Sequence, residues 1–100
     1  MRTESVEIYS DATNSAVMRH PGRKYPGVLV QGDSLYSMCV AADEACKEAR
    51  SAMSEEGFQG LNDLRNRLWT LLTHYKVVLS EHTIDLPFSE DPSVGQHTQK

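Results

Sequence analysis

The segment best placed to do chemistry is Gln31-Gly32-Asp33-Ser34, where a predicted strand gives way to a predicted helix. It follows a loop that contains two Pro-Gly pairs and a cluster of positive charge. Free amide protons and the helix dipole attract anions to a helix start. Asp33 favours a simpler interpretation, a helix cap, because its carboxylate would stand where the anion binds. The candidate anion-binding residues are Arg23, Lys24, Gly32 and Ser34.

The cysteines and histidines do not have the spacing of a catalytic or metal-binding site. Cys39 and Cys46 lie seven residues apart. On one helix this separates their Cα atoms by about 10.5 Å, beyond the roughly 7 Å limit for a disulfide, so we expect two buried, unreactive thiols. No histidine pair has the i, i+4 spacing of a helical metal site; the histidines are His20, His74, His82 and His97. We therefore predict a protein that is not an enzyme and holds no metal or cofactor.

One segment carries a resemblance to other proteins. Residues 20–35, HPGRKYPGVLVQGDSL, resemble a segment of small bacterial proteins of unknown function. The resemblance covers the chain from Val6 to Leu86 when the helical part is included. It implies a bacterial setting and supplies no activity, ligand or partner.

The first third of the chain alternates polar and apolar residues in the manner of β-strands. Residues 5–10 place Val6 and Ile8 on one face, and residues 16–19 can return as a second strand after a turn at 11–14. Residues 28–31 form the third predicted strand. These segments predict a small antiparallel meander that is buried mainly on one side.

From Ser34 onward the apolar residues recur at helical spacing, which predicts two antiparallel helices of about 20 residues each. The first stripe is rich in Ala and Cys and comprises Leu35, Met38, Cys39, Ala42, Ala45, Cys46, Ala49, Ala52 and Met53. The second is rich in Leu and comprises Leu61, Leu64, Leu68, Leu71, Leu72, Tyr75, Val78 and Leu79. Small residues facing large ones allow close approach of two helices. We expect these stripes to face each other, with Asp43 outside the contact.

Together these patterns predict an α+β fold, in which a small antiparallel β-meander of about three strands packs against an antiparallel two-helix hairpin. One domain is expected to span residues 1–92 and to include an arm that packs through Leu86 and Phe88. Residues 93–100 are expected to form a flexible tail.

A second side of the predicted hairpin carries residues that the Leu stripe does not explain. Trp69 lies about 110° from the centre of that stripe, and Thr73 follows it one turn later. On the first helix, Tyr36 likewise leaves the apolar stripe. An unused flank of this kind, with Arg65 nearby, has the composition of a protein interface, whereas the alternative is a flank that packs on the sheet. The candidate partner-binding residues are Tyr36, Arg65, Trp69 and Thr73.

Composition and charge exclude several classes of protein. The 100 residues suffice for one domain, and 10 Lys and Arg stand against 14 Asp and Glu, with no basic stripe to bind nucleic acid. No apolar run approaches the roughly 20 residues that cross a bilayer, and the N-terminal residues lack the apolar stretch of a signal peptide. We therefore expect a cytoplasmic protein without membrane contact.

The sequence thus favours a small protein–protein interaction module, with an immunity or antitoxin-like role as its most concrete form. The expected partner is another protein or, in a homodimer, a second copy of the chain. The alternative is a sensor of a small ligand or anion that uses the Pro-Gly loop and the start of the first helix.

Overall fold

The architecture is that of a computed structural model, which describes residues 1–90. Three strands precede two helices, and their bounds are β1 Glu7–Ser10, β2 Ala16–Arg19, β3 Gly27–Leu29, α1 Gly32–Ala49 and α2 Glu55–Glu81. This confirms the predicted α+β fold with its three-stranded antiparallel sheet and its helical hairpin. The chain divides into two compact units, one that ends at Gln31 and holds the sheet, and one that begins at Gly32 and holds the helices. The predicted tail, residues 93–100, lies outside the described residues.

The sheet is a meander with the strand order β1-β2-β3. Glu7 lies opposite Arg19 in the β1–β2 register, and their side chains form an ion pair at 2.7 Å. Every residue of β1 and β3 is exposed, and Ile8 is 58% exposed. The expected burial of one sheet face is therefore not observed, because alternation specifies which side chains share a face and not what covers that face.

The buried core of the described residues belongs to the helical hairpin. Its apolar members are Leu35, Cys39 and Cys46 from α1 and Phe58, Trp69 and Leu72 from α2. Both cysteines are free thiols, as their spacing on one helix predicts. The predicted inner side of α1 is thus confirmed at its centre, although the buried Asp43 also belongs to it.

The buried side of α2 differs from the predicted one. Leu64 and Leu71, at the centre of the Leu stripe, are 54% and 60% exposed. The buried residues lie about 100° around the helix from that centre, and they are Phe58, Arg65, Trp69 and Leu72. The predicted register is wrong because leucines mark the more apolar side of α2, whereas the side that faces α1 is selected by polar partners.

The helix ends explain why α2 is longer than predicted. Ser54 caps the helix, since its Oγ accepts a hydrogen bond from the Gly57 amide at 3.0 Å. The acidic residues Glu55 and Glu56 follow in the first turn, where they favour the helix dipole. The segment expected to break the helices is therefore the N-terminal cap of a helix of 27 residues.

The chain beyond α2 returns onto the hairpin as an arm. Thr83 has a left-handed backbone with φ of 54°, and the Ile84 amide donates to the Leu79 carbonyl at 2.9 Å, which closes the helix end. The Phe88 ring then stacks on Tyr36 of α1, with 4.4 Å between ring centroids. The predicted packing of an arm through Phe88 is confirmed.

Candidate functional site

A buried ion pair joins the two helices at the middle of the hairpin. The Arg65 Nε donates to Asp43 Oδ1, and the Trp69 indole Nε1 donates to the same oxygen at 3.1 Å. Asp43 is 4% exposed and Arg65 is 1% exposed. Because Arg65 and Trp69 lie one turn apart on α2, a single carboxylate on α1 holds both. These three residues, called the seam cluster below, fix the helix register.

The guanidinium of Arg65 is only partly satisfied. Its Nη1 donates to Asn66 Oδ1 at 3.2 Å, and its Nε is taken by Asp43. Its Nη2 is buried and has no hydrogen-bond partner among residues 1–90. A buried donor without an acceptor is costly, and native structures contain few of them. The unused N–H groups of Arg65 are thus a candidate binding feature.

A pocket of about 60 Å³ opens at this guanidinium, between α1 and α2. We call it the seam pocket, and its lining residues are Asp43, Cys46, Lys47, Arg50, Phe58, Asn62 and Arg65. The Arg50 guanidinium lies 4.9 Å from the centroid of the Phe58 ring, which holds a second cation at the pocket. Positive charge exceeds negative charge in the lining, so the pocket favours an anion.

The cysteine thiols of α1 are poorly suited to nucleophilic chemistry. Burial raises the pKa of the Cys39 thiol to about 11, the Asp43 carboxylate adds to this rise, and Arg65 opposes it. Burial also raises the pKa of the Cys46 thiol. Reactive cysteines need the opposite shift. Both thiols are therefore protonated at neutral pH and act as packing groups.

The predicted partner-binding residues fall in different surroundings. Arg65 and Trp69 are buried in the seam cluster, whereas Tyr36 is half-buried against the ring of Phe88. Thr73 is exposed and, with Trp69, lines an open concave surface of about 400 Å³. Their role in partner binding stays a prediction.

The residue that the sequence analysis missed is Asp43. It stands among charged neighbours on α1, and a charged residue at such a position is usually solvated. The available signal was the pairing of one Asp with an Arg and a Trp spaced four apart on the facing helix, which only the helix register reveals.

The predicted anion site at the start of α1 is largely occupied by the chain itself. Gly32 is buried, and a Cβ at this position would lie 2.2 Å from the Tyr75 ring, so the ring packs directly on the glycine. The Asp33 carboxylate accepts a hydrogen bond from the Ser34 amide at 2.8 Å. This Asp–amide bond is the local interaction expected of a capping residue.

The other two predicted anion-binding residues, Arg23 and Lys24, belong to the sheet unit and are exposed. The His20 carbonyl accepts from the Arg23 amide at 2.9 Å, and the Lys24 Nζ lies 5.4 Å from the centroid of the Tyr25 ring. Arg23 also lines a concave surface of about 280 Å³. Apolar side chains of the sheet form most of its remainder, among them Val6, Met18, Val28 and Leu29.

An exposed apolar surface runs along one side of the hairpin. On α1, Met38 and Ala45 are exposed and lie about 100° from the buried line of Cys39 and Cys46. On α2, the exposed leucines lie about 100° from the buried side. Because the helices are antiparallel, both displacements fall on the same side of the hairpin. We call this surface the Leu face, and it comprises Met38, Ala45, Leu64, Leu68 and Leu71.

Two searches for other site types were negative within the described part of the chain. Residues 1–90 contain no group of three or more His, Cys, Asp or Glu side chains that could hold a metal ion. Neither helix of that same part is long and apolar enough to cross a membrane.

Comparison with known proteins gives a family and no activity. No curated protein and no solved structure matches the chain. Residues 1–88 match a family model described as "Family of unknown function (DUF6959)", and this match includes all three strands and both helices. It agrees with the resemblance to small proteins of unknown function, while the quoted segment and the bacterial setting stay predictions. The chain therefore belongs to the family of unknown function DUF6959.

Proposed function

We propose that this protein is a protein–protein interaction module that binds an apolar helix of another protein on its Leu face. The observation that carries the proposal is the exposure of Leu64 and Leu71, at 54% and 60%, on a helix that buries an arginine and a tryptophan. Exposed apolar surfaces that are rimmed by polar residues are typical of interaction sites.

The shape of the Leu face suits a helical partner. Leu64, Leu68 and Leu71 form a ridge of two turns, about 10 Å long, along α2. The short side chain of Ala45 on α1 leaves a lower strip beside that ridge. A ridge beside a strip of small residues is a surface into which an amphipathic helix packs its own apolar residues.

Burial of these leucines is sufficient to contribute to specific binding. Complete burial of one leucine side chain contributes about 1.5–3 kcal/mol, before the cost of association is subtracted. Leu64 and Leu71 each have more than half of their surface left to bury. We therefore expect these two residues to dominate the affinity for the partner.

The test compares three substitutions that each introduce a charge on α2. Leu64→Glu and Leu71→Glu place a carboxylate on the Leu face, whereas Val77→Glu places one at an apolar position that is 50% exposed and lies outside it. A partner captured from the source cell by the original chain is purified, and its affinity for each variant is measured by calorimetry. We expect the two Leu variants to lose at least tenfold in affinity, about 1.4 kcal/mol, and Val77→Glu to retain it.

Sedimentation of the same variants separates a foreign partner from a second copy of the chain. Self-association that Leu64→Glu abolishes would assign the Leu face to a homodimer. Equal affinity of all three variants for the captured partner, together with a monomeric chain at every concentration, would contradict the proposal. An immunity or antitoxin-like role stays the most concrete form of it, and co-expression with the product of a neighbouring gene tests whether the chain relieves growth arrest.

A second candidate function is recognition of a small ligand on the sheet unit. It is favoured by the position of Arg23 at the edge of the apolar concave surface of about 280 Å³. A ligand with one anionic group and an apolar body would match that lining. Arg23→Gln should remove ligand-induced thermal stabilisation, whereas Lys24→Gln, the adjacent cation, should leave it unchanged. The start of α1 is a weaker ligand site, because the Tyr75 ring and the Asp33 carboxylate already stand there.

A further inference from the structure

We infer that the seam pocket binds a carboxylate group. The inference does not depend on the proposed function, because the pocket lies between the helices and shares no lining residue with the Leu face. The observation that carries it is the buried Nη2 of Arg65, which has no acceptor among residues 1–90, in a side chain that is 1% exposed.

The lining supplies the hydrogen-bond donors that a carboxylate requires. Arg65 Nη2 offers its two N–H groups, and Lys47 and Arg50 add cationic donors from α1. Asn62 contributes an amide from α2. Charge-assisted hydrogen bonds of this kind are shorter and stronger than neutral ones, and they are strengthened where water is excluded. An entering anion would thus satisfy the buried guanidinium and neutralise part of the excess positive charge.

The size of the pocket limits what can enter. Its volume is about 60 Å³, and a water molecule in the liquid occupies about 30 Å³. A carboxylate with its carbon atom fits such a space, whereas a nucleotide or a sugar does not. The Asp43 carboxylate in the lining further opposes a dianion such as phosphate. A monoanionic carboxylate, from a free small acid or from a glutamate or aspartate side chain, fits both constraints.

The experiment is a titration of the isotope-labelled chain with sodium acetate, at constant ionic strength set by sodium chloride and followed by NMR. The side-chain N–H signals of Arg65 and Arg50 and the backbone amide of Lys47 report directly on the pocket. We expect these signals to shift saturably with acetate and not with chloride alone.

Matched variants test the contribution of the cations. Lys47→Gln and Arg50→Gln change exposed residues, so the fold is retained. Either should raise the dissociation constant for acetate by about tenfold, since a charge-assisted hydrogen bond contributes that much. Arg67→Gln removes an equally exposed charge from α2 outside the pocket and should leave the constant unchanged. Leu64→Glu should also leave it unchanged, which separates this inference from the Leu face.

Three results would overturn the inference. The first is an Arg65 signal that acetate does not move, which would leave only water in the pocket. The second is saturable binding of phosphate without binding of acetate. The third is equal weakening by Lys47→Gln and Arg67→Gln, which indicates general screening. A peptide with one glutamate, compared with its glutamine counterpart, then assigns the source: binding of the glutamate peptide points to a protein side chain, and binding of acetate alone to a free acid.

Discussion

The two sides of α2 use their residues in opposite ways. One side packs against α1 and contains a charged residue, Arg65, that is 1% exposed. The other side is part of the Leu face and contains Leu71, which is 60% exposed. Hydrophobicity alone would exchange these two sides. The difference shows that a shared buried acceptor, Asp43, can determine which side of an amphipathic helix meets its neighbour.

The physical reason lies in the cost of separating buried charges. An arginine or an aspartate buried alone loses its hydration without compensation, but the two together restore part of it through a direct hydrogen bond. Trp69 adds a third group that needs an acceptor when it is buried. The seam cluster is therefore satisfied in one helix register and unsatisfied in the others. Leucines impose no comparable requirement, since any apolar neighbour suffices.

The largest expected effect comes from removing the shared acceptor. Asp43→Ala leaves Arg65 buried without its counter-ion and Trp69 Nε1 without its acceptor. We expect the free energy of unfolding to fall by about 3–5 kcal/mol. Asp63→Ala, which removes an exposed carboxylate from α2, should change it by less than about 0.5 kcal/mol. Urea denaturation measures both, and a loss below 1 kcal/mol for Asp43→Ala, on the scale of an exposed ion pair, would contradict the seam cluster.

The second effect is the protection of the Cys39 thiol. Its pKa is raised to about 11 from an ordinary value of 9.0. At pH 8 this lowers the thiolate fraction about 100-fold, so labelling by a thiol reagent should be slower in the native chain than in denaturant by at least that factor. A fast native rate would show that Cys39 is outside the buried line of α1.

The same shift makes stability depend on pH in one direction. The folded chain holds the Cys39 proton more tightly than the unfolded chain does. This contribution is complete below pH 9 and is lost as the pH rises toward 11. Denaturation midpoints of the original chain and Cys39→Ser, compared across that range, should show a steeper alkaline loss in the original chain.

The sequence predicts the elements of this fold better than their contacts. Val6-Glu7-Ile8 and the Ala and Cys spacing of α1 depend on local periodicity, so the strands and helices emerge from them directly. The partner of Asp43 does not, because 22 residues separate it from Arg65 along the chain. The orphan Nη2 of Arg65 is equally invisible in the sequence, since it depends on which acceptors the helix register brings near.

A smaller effect is expected from Trp69→Phe, which keeps an aromatic ring and removes the indole N–H. The Asp43 carboxylate retains its contact with Arg65, so only one hydrogen bond to a charged group is lost. We expect a loss of about 1.5–3 kcal/mol in the free energy of unfolding. A double-mutant cycle with Asp43→Asn isolates the bond from the change in ring volume. Additive effects of the two substitutions would show that the indole and the carboxylate do not interact.

The smallest expected effect comes from the neighbouring leucines of α2, which test the comparison within a single helical turn. Leu71→Ala removes a side chain that is 60% exposed and should change the free energy of unfolding by less than about 0.5 kcal/mol. Leu72→Ala removes one that is 0% exposed and should cost about 2–5 kcal/mol. The two substitutions share the same chemistry and nearly the same helix position, so their difference reports burial alone. If Leu71→Ala instead destabilised a dilute, monomeric chain as much as Leu72→Ala, leucines of the Leu face would belong to the core and could not wait for a partner.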